Sequence, residues 1–68
     1  MQIDPRQYYT PAEAASLLAV KESTVKDYCR AGKVAGVSLE TKKIGPRHEW
    51  RLKGQSIIRI RQAWDLDT

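Results

Sequence analysis

Along the first half of the chain, apolar residues recur three and four positions apart: Ala14, Leu17 and Leu18 in one run, Val25, Tyr28 and Cys29 in the next. That period gathers each set on one face of a helix. The stretch "YYTPAEAASLLAV" predicts a first helix over residues 11–18, with its start marked three times. The Thr10 hydroxyl can accept from a free first-turn amide, Pro11 falls where its missing N–H costs nothing, and Glu13 completes a capping box. The alanines of this helix are small enough to let a second helix approach closely. "AVK" at 19–21 has room only for a turn, and a second helix is expected from Glu22 to Ala31. Glu22, Ser23, Lys26, Asp27 and Arg30 point away from its apolar stripe. Gly32 follows as a left-handed cap, with Arg30 and Lys33 near the negative end of the helix dipole. Two short helices joined by so brief a turn read as a helix-turn-helix, the unit whose second helix enters the major groove of DNA.

After Lys33 the period shortens to two. "VAGVSLE" alternates weakly, and "RHEWRL" alternates more strongly, with His48, Trp50 and Leu52 on one face and Arg47, Glu49 and Arg51 on the other. Between them "TKKIGP" carries the turn signal Gly45-Pro46, so these runs predict one β-hairpin with a basic tip. In "GQSIIRIRQAW" the helical period returns: Ile57, Ile60 and Trp64 face inward, Arg59 and Gln62 face water. The order is helix, turn, helix, hairpin, helix, an α+β arrangement that is mostly α. Residues 1–9 are expected as an arm or a short extra helical turn capped by Asp4, residues 10–64 as the domain, and 65–68 as a tail.

Composition narrows the function. A chain of 68 residues makes at most one domain with a small core, a poor frame for a deep substrate pocket. Its single cysteine, Cys29, allows no internal disulfide and, with one histidine, no structural zinc site; no cofactor is expected. A free thiol suits a reducing compartment, no apolar run approaches the roughly 18 residues of a membrane span, and the first residues lack a signal-peptide pattern, so a cytoplasmic location is expected. The formal charge of +4 is unevenly spread: residues 21–33 carry +2 and residues 42–53 carry +4. Two basic segments set against a near-neutral remainder fit a polyanion-binding face.

The run "YYTPAEAASLLAVKESTVKDYCRAGKVAGV" followed by "RHEWRL" resembles the small winged helix-turn-helix domain of phage excisionases, which is similar to the DNA-binding domain of MerR-type regulators. Tyr9, Thr10-Pro11, Glu13-Ala14-Ala15, Leu17-Leu18, Thr24-Val25 and Gly32-Lys33 carry the likeness, which covers about residues 8–60. Two features depart from the family pattern. Its turn often reads glycine, valine, serine, where this chain has Ala19, Val20 and Lys21, and lysine is a poor helix cap. The segment "SLETKKIGPRHEW" is also longer than the minimal wing.

Two readings of the second helix stay open from the residues alone: a solvated face with a Glu22–Lys26 pair worth a few tenths of a kcal/mol, or a recognition surface. The tight turn before it and the basic hairpin after it favour recognition. Lys21, Ser23, Lys26 and Arg30 are then the expected DNA contacts, with Thr24 beside them. Glu22 and Asp27 either accept from a cytosine amine or discourage wrong sequences. In the wing, Lys42, Lys43 and Arg47 either guard a strand edge or enter the minor groove. Trp50, sharing a face with Leu52, is expected in the core. Cys29 and His48 suggest no catalysis, since Cys29 falls on a buried stripe and no oxyanion site or phosphate loop accompanies them. The resemblance implies a non-catalytic protein that binds repeated sites near an attachment site, bends the DNA, and helps a phage integrase to excise. It also leaves open a MerR-like repressor, and a protein-interaction module stands as a third class. Because the last helix ends soon after Trp64, the protein is expected to be monomeric in dilute solution and cooperative on adjacent DNA sites. Asp65 and Asp67 would either meet a neighbour's wing or form a solvated tail.

Overall fold

A computed structural model describes residues 2–64; the expected tail with Asp65 and Asp67 lies outside them. The element order is β1 (Tyr8–Tyr9), α1 (Pro11–Leu18), α2 (Glu22–Ala31), β2 (Lys33–Val34), β3 (Val37–Ser38), β4 (Thr41–Ile44), β5 (Glu49–Lys53) and α3 (Gly54–Ala63). Over the described residues it is a small winged helix-turn-helix of three helices, a three-stranded antiparallel sheet and a two-stranded one. All three helices occupy the spans the periodicity predicts.

α1 begins as its sequence dictates. The Thr10 hydroxyl accepts from the Glu13 amide at 3.1 Å, and the Glu13 carboxylate accepts from the Thr10 amide at 2.9 Å. It ends at Ala19, whose φ of 58° places an alanine in the left-handed region. Its last turn contains no basic residue; Arg61 of α3 instead donates to the Leu17 carbonyl, serving a terminal acceptor from outside the helix. α2 starts at Glu22 with Lys21 at its cap and no side-chain hydrogen bond there, then closes on Gly32 at φ 74°.

The hairpin departs from the sequence reading. "VAGV" forms a hairpin of its own, with Val34 opposite Val37 and a two-residue turn of Ala35 and Gly36, both at positive φ. Such a turn matches strand twist, but its usual Asn-Gly or Asp-Gly signature is missing. The larger hairpin therefore pairs β4 with β5, from Thr41 opposite Leu52 to Ile44 opposite Glu49. Lys42 and Lys43 accordingly lie within a strand rather than at the tip. His48 also leaves the face of Trp50 and Leu52: it sits exposed in the turn, at φ 52°.

Within residues 2–9 the Asp4 carboxylate accepts from the Arg6 amide at 2.9 Å and its carbonyl from the Gln7 amide at 3.2 Å, capping a single turn that does not extend into a helix. Tyr8 and Tyr9 pair with Lys53 and Leu52, making the sheet order β1-β5-β4. The preceding turn caps α3, which has no side-chain cap: the Gly54 amide donates to the Gln7 carbonyl at 2.8 Å and the Gln55 amide to the Pro5 carbonyl at 3.1 Å. Ala14, Leu17, Leu18, Val25, Cys29, Leu52, Ile57 and Ile60 pack into the core between α1, α2, α3 and β5. Trp50 and Trp64 pack against it, the latter edge-on to Tyr28 at 6.1 Å. Among the described residues, no helix is long and apolar enough to cross a membrane, and no His/Cys/Asp/Glu group could hold a metal ion.

Candidate nucleic-acid interface

Burial of Val25 and Cys29 fixes how α2 is rotated, and that rotation decides which polar residues face out. Lys21, Glu22, Ser23, Lys26, Asp27 and Arg30 are exposed, and Thr24 is half-buried. Glu22, Lys26 and Arg30, four residues apart, share one stripe. This stripe lines an open groove of about 410 Å³ with Thr10 and Pro11 at the start of α1 and Glu49, Trp50 and Arg51 of β5. The ion pair found on α2 joins Arg30 to Asp27 at 3.7 Å, rather than Lys26 to Glu22. Both partners are about 70% exposed, so the pair adds little stability and leaves Arg30 ready to exchange its partner.

The wing residues fall into three places. Lys43 lies opposite Trp50, with its ammonium 4.6 Å from the indole centroid. Lys42, one residue earlier, projects to the other face of the strand, 4.0 Å from the centroid of the Tyr8 ring. Arg47 lies in the turn, where it lines a second concavity with Ile44, Pro46, Glu49 and Arg51. The structure therefore unites Glu22, Lys26 and Arg30 but separates Lys42 from Lys43. Both lysines rest on aromatic rings, contacts that restrict their range and contribute about 0.5–1 kcal/mol at exposed sites.

Not all of the basic segment 42–53 is available as free charge. Lys53 meets Glu40 at 3.0 Å, and that hydrogen bond, with the carboxylate's charge, pushes the ammonium pKa up. Arg51 lies 3.5 Å from Glu49. Arg51 is the residue that the sequence reading passed over, and it lines both the α2 groove and the tip concavity. Its signal was present in the alternation of "RHEWRL", which put it opposite the Trp50 face.

Cys29 and His48 do not form a reactive pair. Cys29 is 3% exposed, and burial pushes its thiol pKa up, away from the nucleophilic thiolate. His48 is in the exposed hairpin turn.

A helix with one polar stripe, seated beside a basic hairpin, is the geometry of a DNA-reading module. Comparison with known proteins agrees: a family model described as a helix-turn-helix domain matches residues 8–63. No curated protein and no solved structure matches the chain. The family match spans β1 through α3, and the chain belongs to the helix-turn-helix domain family, a family of DNA-binding modules.

Proposed function

We propose that this chain is a non-catalytic, DNA-bending protein of the excisionase kind, acting with a phage integrase at attachment-site DNA in a bacterial cell. The observation that carries the reading is the groove in which Glu22, Lys26 and Arg30 of α2 lie beside the β4–β5 hairpin. α2 enters the major groove, where Lys26 and Arg30 meet guanine edges or phosphates. Lys21, Ser23 and Thr24 lie at its entering end, and Glu22 and Asp27 select against wrong bases. Lys43 and Arg47 follow the adjacent minor groove, with Lys42 on the outer strand face reaching a flanking phosphate. The excisionase role is supported by the run from Tyr9 to Lys33, whose motifs resemble that family.

Footprinting on the DNA flanking the coding region, with a bend assay and an excision assay on the protected fragment, tests this role. Cooperative filling of adjacent sites, a bend and stimulated excision are expected. A stable dimer that fills its sites independently, leaves the DNA straight and reduces transcription would favour a MerR-like repressor. Lys26→Ala and Arg30→Ala should each weaken specific binding by about 1–3 kcal/mol with the fold intact. Unchanged binding in both would remove α2 as the reading helix.

A further inference from the structure

We propose that Arg51 grips the sugar–phosphate strand that runs between the two DNA grooves, in the cleft separating α2 from the wing. This rests on the reading above, with α2 in the major groove and the β4–β5 hairpin in the adjacent minor groove. Neighbouring grooves of a duplex are divided by one backbone strand. A helix in one groove and a hairpin in the other must straddle that strand, so the residues between them face it.

The cleft holds Glu22, Lys26 and Arg30 on one wall and Glu49, Trp50 and Arg51 on the other. Arg51 is the cation contributed by the β5 wall. It also reaches the concavity beneath the hairpin tip, where Arg47 lies, and so occupies the junction of the two surfaces. Its side chain is 22% exposed: held in place, yet accessible. Nη1 donates to the Trp50 carbonyl at 2.8 Å, and Nη2 lies 3.5 Å from the Glu49 carboxylate. The carbonyl bond orients the guanidinium, while the Glu49 contact is long and the Glu49 side chain is 56% exposed. A guanidinium has five N–H groups in a planar fork, so donors remain for two phosphate oxygens after the carbonyl is served. A phosphate can take Glu49's place without disturbing the bond that aims the fork.

The test uses the full chain, its footprinted site, and duplexes each carrying one neutral methylphosphonate linkage. Wild type should lose affinity roughly tenfold when the linkage between the two protected grooves is neutralised. Arg51→Ala should lose a similar factor on unmodified DNA, become indifferent to that one linkage, and keep its base preference. Its log–log salt slope should fall by about 0.9. Arg51→Lys should keep the slope and recover part of the affinity. Additive losses at every linkage, with an unchanged slope, would overturn the proposal and leave Arg51 as a structural strap on β5. If Arg51→Ala fails to fold, Arg51→Lys is judged by its coupling to the same linkage. Failure of Arg51 alone is distinguishable from failure of the underlying reading: in the second case Lys26→Ala and Arg30→Ala also bind normally, and the proposal falls with it.

Discussion

The helical hairpin and the sheet hold their shapes by opposite means. α1 and α2 are specified locally: a capping box within four residues, a three-residue turn, and a glycine stop, all between Thr10 and Gly32. The sheet is specified at long range, because β5 becomes a central strand only when Tyr8 and Tyr9 come back to pair with Lys53 and Leu52. Closing such a loop costs chain entropy that nearby contacts alone do not repay. The α2 surface thus stands on a frame that its own neighbours define, whereas the β4–β5 wing, itself a local pairing, is anchored along its far edge by the other end of the domain. Loss of sheet closure should therefore disable the wing before it disturbs the α1–α2 turn.

The largest effect is expected where the two regions share a residue. Leu52 is fully buried, pairs with both Tyr9 and Thr41, and belongs to the core formed with α1 and α2. Leu52→Ala should cost about 2–5 kcal/mol. A domain of this length has a total stability of only about 3–10 kcal/mol. Urea unfolding followed by the fluorescence of Trp50 and Trp64 would measure the loss. A cost below about 1 kcal/mol would mean that the helices hold together without β5, breaking the proposed dependence.

The same contrast governs what could be read from the sequence. Helix boundaries were legible because caps and periods are local: Thr10, Pro11, Glu13 and Gly32 announce α1 and α2 directly. β1 was not legible, since nothing in "QYY" specifies pairing with residues 43 and 45 positions away. The Ala35-Gly36 turn lacked its customary signature, so two short strands were read as one. In the candidate site, the α2 residues could be picked out by subtracting the buried stripe. Alternation puts Arg51 on the face opposite Trp50, but its place in the groove depends on where β5 packs beside α2.

Gly54 gives a sharper probe of closure. A Cβ there would stand 2.0 Å from the Asp4 carbonyl oxygen and 3.0 Å from the Tyr9 ring. Backbone cannot yield as a flexible side chain can, so Gly54→Ala should displace the 4–7 turn at a cost of about 1–3 kcal/mol. That outweighs the gain of up to about 1 kcal/mol in helix propensity. Hydrogen exchange at the Gly54 and Gln55 positions and at β1 should accelerate, while α1 amides change less. Uniform acceleration would show that the two regions open as one unit.

On the local side, Thr10→Ala should cost about 1 kcal/mol by removing the hydroxyl half of the capping box. Acid provides an independent check. The hydrogen bond from the Thr10 amide, then that with its side chain, hold the Glu13 carboxyl below its ordinary 4.5. A folded-state value below the unfolded one means that the contribution is present above about pH 4.5 and disappears as pH falls through the lowered value. Glu13→Gln can keep the reciprocal hydrogen bond but cannot titrate. Its melting temperature should therefore fall less steeply with acid than that of wild type. Parallel acid profiles would show that Glu13 is not a source of the pH dependence.

The smallest effect concerns the one poor fit within the local half. Ala19 ends α1 at φ 58°, a conformation that costs an L-residue roughly 1–2 kcal/mol. Its position is fixed by the bond from the Val20 amide to the Ala15 carbonyl at 3.0 Å, which closes the helix end and aims the chain into α2. Glycine would remove that strain but lose about 0.5–1 kcal/mol more backbone entropy on folding. The first term exceeds the second, so Ala19→Gly should stabilise the domain by about 0.5 kcal/mol, raising the melting temperature by roughly 2–4 °C. Ala19 lines neither the α2 groove nor the tip concavity, so DNA affinity at fixed salt should not change. A lower melting temperature would mean that the turn between the helices is held by contacts of the Ala19 methyl group. Even the local half would then depend on packing as well as on its caps.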